Sequence, residues 1–137
     1  MEAVIYLPMK AFSVNAYHFR DKRHKTPEAR QWEASIQEAL AEHKVLVDMA
    51  LTFKEKGGFF EIEMDFIYPP YVFFNKDKTI SSKTFDLSNV EKPLIDQIFG
   101  GVMDVNDKNI LRMISRKMCG VSFGIVIKLK LKTEAYS

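Results

Sequence analysis

Apolar residues fall at every second position from Phe60 to Tyr68 (Phe60, Ile62, Met64, Phe66, Tyr68), with Glu61, Glu63 and Asp65 between them. Alternation of this kind predicts a strand buried on one face, opened by Gly57-Gly58 and ended by Pro69-Pro70. Its three acids suit either a solvated outer face or a nearby metal. The same period returns at Ile125, Ile127, Leu129 and Leu131, interleaved with Val126, Lys128, Lys130 and Lys132. The segment from Ile110 to Met118 precedes it across Cys119-Gly120, and the pair predicts a terminal β-hairpin. A short run from Ala3 to Leu7, stopped by Pro8, predicts a further strand.

Helical spacing takes over elsewhere. Ala29, Trp32, Ile36, Ala39 and Leu40 draw an apolar stripe that predicts a helix to about residue 42. Thr26-Pro27-Glu28 starts it: a capping hydroxyl, a proline whose missing donor costs nothing there, and an acid at the positive end of the dipole. A second helix is predicted over roughly residues 89 to 99, with Ser88 and Glu91 as a capping box, Pro93 near the first turn and Gly100-Gly101 as the stop. The run Lys44 to Phe53 fits helix or strand equally, and residues 9 to 25 and 71 to 85 read as loops. The order predicts an α+β domain: a mixed sheet of about four strands with two main helices packed mostly on one face.

Composition adds limits. At 137 residues, 47% apolar and 28% charged, residues 1–137 fit a single domain. No stretch reaches the roughly 18 to 20 apolar residues that span a bilayer, and MEAVIYLPMKAF lacks a basic segment leading into an apolar one, so the expectation is a cytoplasmic protein without a membrane partner. The lone Cys119 cannot form an internal disulfide. A net charge of +2 decides little, but Arg20, Lys22, Arg23 and Lys25 crowd around His24, and Lys128, Lys130 and Lys132 alternate near the end. Such groups suit phosphate contacts or an ordinary solvated face.

The chain has no P-loop, GxGxxG, HExxH or GxSxG, which removes support for ATP hydrolysis, nicotinamide chemistry, zinc proteolysis and α/β-hydrolase chemistry. An oxygen-rich set remains: Asp86, Ser88 and Asn89 at a helix entrance, and Asp104, Asn106 and Asp107 at a turn beyond it. Hard cations such as magnesium take oxygen ligands and substrate phosphates, and phosphodiester hydrolysis uses such an ion to polarise the phosphoryl group and activate water. On the helix, Asn89, Lys92 and Asp96 share a face, where a lysine can offset transition-state charge. The same residues also suit caps, turns and a surface ion pair.

The run Asp86-Leu87-Ser88-Asn89-Val90-Glu91-Lys92, followed by Asp96 and Asp107, resembles the RusA family of Holliday junction resolvases, small dimeric endonucleases common in phages and prophages. That family's pattern is Asp, Leu, Asp, Asn, two variable residues and Lys, then a helix and a paired-acid turn. Leu7-Pro8, then Ser13, Asn15 and Tyr17, then a basic loop and a helix, are similar too, and Lys117 sits where the family often has a strand lysine. The resemblance implies that Asp86 and Asp107 bind magnesium, with manganese able to substitute, and that Lys92 assists at the phosphate. Ser88 and Asp104 are further candidate metal donors; Asn89, Asp96 and Asn15 are supporting residues. Arg20, Lys22, Arg23, Lys25 and Lys117, with the lysines of the last strand, would contact branched double-stranded DNA. It further implies a symmetric homodimer that cuts a four-way junction with paired nicks.

This chain departs from the pattern at two places: Ser88 replaces the second aspartate, and Asn106-Asp107 replaces two adjacent acids. A serine hydroxyl is a neutral, weaker ligand. Three readings follow: an active junction endonuclease, a branched-DNA-binding protein weakened or inactivated at Ser88, or an interaction protein whose acidic turn is only a turn.

Overall fold

The protein is described by a computed structural model over residues 1–16 and 24–133. Arg20, Lys22 and Arg23 of the predicted basic loop lie outside the described residues. One mixed sheet contains β1 (Glu2–Leu7), β2 (Phe59–Tyr68), β3 (Ile110–Cys119) and β4 (Gly124–Lys132) in the order β1-β4-β2-β3. β4 runs antiparallel to both its neighbours, and β3 runs parallel to β2.

The terminal hairpin expected from sequence therefore does not form, because β2 lies between its two arms. The composition of the arms explains the arrangement. β4 alternates so cleanly that Ile125, Ile127 and Leu129 are fully buried, which a central strand with neighbours on both sides accomplishes. β3 carries Arg112, Ser115, Arg116 and Lys117 and buries none of its residues, which an edge position tolerates, whereas β1 at the other edge buries Ala3, Ile5 and Leu7.

Helices cover one face of the sheet. α1 (Pro27–Ala41) begins as expected, with Thr26 Oγ1 accepting from the Ala29 N–H at 3.1 Å, and it buries Ala29, Trp32, Ile36 and Leu40. Trp32 packs against Phe12, and its indole N–H donates to the Lys10 carbonyl at 3.1 Å. The undecided run becomes a third principal helix, α2 (Lys44–Lys56), because Leu46, Met49 and Ala50 fall on one helical face over the core. It ends at Gly57, whose φ of 71° suits a residue without Cβ. A single turn, α3 (Pro70–Phe73), follows β2.

The next helix differs from expectation at both ends. α4 spans Leu87–Ile95 with Asp86 as N-cap, so Ser88 and Glu91 lie inside it and form no capping box. Pro93, well beyond the first turn, removes an N–H from the hydrogen-bond ladder, and from Asp96 to Met103 the helix widens to π geometry. Gly100-Gly101 does not stop it. A Cβ on Gly101 would meet only the end of the Gln37 side chain, and the helix ends instead at Asp104, in the left-handed conformation with φ 54°.

The core lies between these helices and the sheet. Phe60 and Phe99, each about 1% exposed or less, meet edge to face at 5.2 Å. Burying each such side chain contributes about 1.5–3 kcal/mol. The opposite sheet face is a charge mosaic. Glu61 faces Lys130 and Arg112, Glu63 faces Lys128, and Glu2 faces Lys130. Asp65, 8% exposed, takes a two-pronged contact from Arg116 at 2.8 and 2.9 Å. The acids of β2 are thus matched across the strands rather than freely solvated, and the last-strand lysines spend charge on them.

Candidate active site

Asp86 is fixed by the residues just before it. Thr84 is fully buried, and three groups hold it. The Tyr68 hydroxyl donates to its carbonyl at 2.8 Å, Lys117 Nζ donates to its Oγ1 at 3.0 Å, and that hydroxyl donates to the Ser81 carbonyl at 2.8 Å. The ends of β2 and β3 thereby clamp one threonine. Phe85 then takes φ 61° and ψ 169°, a region that costs a residue with a side chain about 1–3 kcal/mol. This turn delivers Asp86 to the positive end of α4. The Asp86 carbonyl accepts from the Asn89 N–H at 3.0 Å, its carboxylate makes no capping bond, and the residue is exposed. Ser88 is exposed one helical position further on from Leu87.

Burial pushes the Tyr68 phenol from 10.0 up to about 12. The unfolded chain releases this proton near pH 10 while the folded one holds it, so the stabilisation is whole below about pH 10 and is lost as pH rises through about 12. Thermal melts over that window should show Tm falling. Tyr68→Phe should flatten the fall and, by orphaning the Thr84 carbonyl, cost about 1–3 kcal/mol at neutral pH.

A second group gathers along the far half of the helix. Lys92 and Asp96 pair at 3.6 Å. Asp96 shares an open cleft with Ile95, Phe99, Gly100, Val105, Asn106 and Asp107. The chain folds back there because the Val105 N–H donates to the Phe99 carbonyl at 2.8 Å, and Asn106 Oδ1 then caps the turn Asp107–Asn109 by accepting from the Lys108 N–H at 2.9 Å. Asn106 thus serves as a turn cap at the place of an acid. Asp104 ends the helix with its carboxylate 3.9 Å from Lys54 of α2.

An adjoining cleft is lined by Val14, Lys25, Glu33, Lys92, Pro93, Asp96 and Gln97. Lys25 pairs with Glu33 at 2.8 Å, and Glu33 accepts from Gln97 at 2.9 Å. Asn15 lies exposed on the turn Val14–Ala16, which packs against α4, and the Thr26 hydroxyl donates to the Ala16 carbonyl at 2.9 Å to hold that turn.

The structure thus brings Lys92, Asp96, Asp107, Lys25 and Asn15 to one stretch of helix, and Asp86, Ser88 and Lys117 to its start. From Asp86 to Asp96 the helix advances roughly 15 Å at ~1.5 Å per residue, whereas oxygen ligands sit about 2.0–2.6 Å from a magnesium or calcium ion. Among the described residues no three of His, Cys, Asp and Glu gather where a single ion could sit. Sequence reasoning missed Tyr68, Thr84 and Phe85 as positioning residues. Alternation places Tyr68 in the core, but nothing local marks Thr84 as its partner.

No described helix is long and apolar enough to cross a membrane. The family model for endodeoxyribonuclease RusA matches residues 8–130, which takes in β2, β3, α1 to α4 and all but the last two residues of β4, and leaves out β1. No individually curated protein matches the chain.

Proposed function

The chain belongs to the RusA endodeoxyribonuclease family, and on that footing we propose that it is a magnesium-dependent, structure-selective endonuclease that resolves four-way DNA junctions by paired symmetric nicks. Its setting is recombination, repair or phage DNA processing, in the cytoplasm of a bacterium or a phage-infected host. The observation that carries this reading is the presentation of Asp86. A buried clamp and a strained turn hold an exposed carboxylate that is not used as a cap, at a helix N-terminus and close in sequence to the Thr84 hydroxyl that Lys117 grips.

Asp86, Asp107 and Ser88 are hard oxygen donors of the kind magnesium or manganese accepts. When bound, the ion supplies Lewis acidity and an activated water. Lys92 neutralises charge on the phosphate; its exposed contact with Asp96 is weak enough for a phosphate to replace. Lys25 and Lys117, with Arg20, Lys22 and Arg23, extend the contact along the DNA backbone.

Two copies complete the site. β3 has a strand on one side only. Antiparallel pairing of this edge with its counterpart in a second copy sets the start of one β3, next to Asp107, against the end of the other, where Lys117 holds Thr84. Asp86 of each chain then approaches Asp107 of the partner subunit, and the two sites are related by the two-fold axis that a junction also possesses.

The second reading, a junction-binding protein without catalysis, is favoured by Ser88 alone. Wild type and Ser88→Asp, assayed together on a synthetic four-way junction with magnesium or manganese, separate the two. Symmetric nicks from both proteins are expected, with the variant needing about 10-fold less metal because a second carboxylate joins the ligands. Binding by wild type with nicking by the variant alone would favour the inactive reading. Absence of nicking by both under every divalent ion would end the nuclease proposal.

A further inference from the structure

Between β2 and the Thr84 clamp the chain builds a small protrusion with fixed geometry. Phe74 and Ile80 form an antiparallel bridge. Within it the Asn75 N–H donates to the Thr79 carbonyl at 2.8 Å, and the Lys78 N–H donates to the Asn75 carbonyl at 2.9 Å. The Asn75 side chain donates to Thr79 Oγ1 at 3.0 Å, and Asp77 accepts from the Thr79 N–H at 3.0 Å and from its hydroxyl. Those bonds hold the Asp77 carboxyl below its ordinary range. Val72 and Phe73 root the base in the core, and the Ser81 N–H donates to the Phe73 carbonyl at 2.8 Å.

The tip, residues 75–79, is polar, and the apolar side chains lie at its neck and base, where they are exposed. Tyr71 is 75% exposed, Ile80 56% and Phe74 42%. Lys76, Lys78 and Lys83 lie in the same stretch of chain, all exposed, and its single acid, Asp77, is tied to Thr79. Large exposed side chains on an ordered loop are costly without a partner. Aromatic faces set among lysines match nucleic acid whose bases have left the stack: the rings stack on bases and the lysines meet phosphates. Paired duplex hides its base faces, whereas a branch point exposes them. The protrusion also leads straight into the Ser81 to Thr84 clamp that presents Asp86.

We propose that Tyr71, Phe74 and Ile80 form a wedge that stacks on unpaired bases at the branch point, with Lys76, Lys78 and Lys83 on the flanking phosphates. This rests on the endonuclease reading and adds how branched DNA is told from linear. The test places 2-aminopurine at the branch point of a four-way junction and titrates wild type, Tyr71→Ala and Ile80→Ser, with linear duplex of the same sequence as control. Wild-type binding should change the 2-aminopurine emission. Tyr71→Ala should lose most of that change and weaken junction binding about 10-fold, Ile80→Ser should act in the same direction, and duplex binding should stay constant. Wild-type affinity and emission retained in both variants would overturn the wedge while leaving the nuclease reading intact. So would a loss of dimer in Tyr71→Ala by light scattering, which would make the patch a protein interface. Failure of wild type to bind any junction would overturn both.

Discussion

Asp86→Asn and Asp107→Asn are each expected to lower junction nicking by more than about 100-fold, since even outer partners of a metal site are worth 10–100-fold. Each change keeps shape and removes a charge that, on the proposed reading, would hold the ion. The sharper expectation concerns the two variants together. In a single chain roughly ten helical residues separate Asp86 from the cleft that holds Asp107. If each site takes Asp86 from one subunit and Asp107 from the other, a dimer of one Asp86→Asn chain with one Asp107→Asn chain carries one site with both changes and one with neither. Co-expressed variants should therefore regain single-strand nicking. On a plasmid with an extruded cruciform, wild type should give linear product and the mixed dimer nicked circles. No recovery in the mixed dimer would place the whole site within one chain.

Phe99→Ala is expected to destabilise the fold by about 3–5 kcal/mol, as large-to-small changes at aromatic core positions do. Phe99 is 1% exposed and packs edge-on against Phe60 of the central strand β2. It also lines the cleft of Asp96 and Asp107, and its carbonyl anchors the Val105 N–H at the turn. In a urea titration the midpoint should fall with little change in slope. Phe99→Leu, which keeps most of the volume, should cost much less. Nicking should fall further in Phe99→Ala than the folded fraction alone dictates, because the Asp107 turn loses its floor. Equal nicking per folded molecule in both variants would detach the cleft from catalysis.

Local patterns reached a long way into this fold. The alternation from Phe60 to Tyr68 located β2, and Thr26-Pro27 located the start of α1. These succeed because burial of one face and capping of one end are decided within a few residues. Strand partnership is not decided so locally. Neighbouring β3 and β4 suggested a hairpin, yet the polar residues on both faces of β3 already fitted an edge and the clean period of β4 already fitted the middle of a sheet. Helix ends misled for a similar reason. The helix runs through Gly100-Gly101 to Met103, and Asp86 rather than Ser88 caps α4, facts that depend on distant packing. At the candidate site the acids and Lys92 stood out by spacing. The clamp on Thr84 joins residues 16 and 33 positions away, and no periodicity reports it.

The strand order has a consequence in time. Every pairing in the sheet joins segments far apart in the chain: Glu2 meets Lys130, Phe60 meets Leu131, and Phe60 meets Ile110. No local hairpin is available to nucleate it, and long loop closures slow folding. On a ribosome, β1 and β2 wait with open edges until β4 emerges and slots between them. The sheet beneath the Thr84 clamp and the acidic turn is thus completed by the strand that comes last in chain order, so the candidate site cannot take its final shape before β4 has paired.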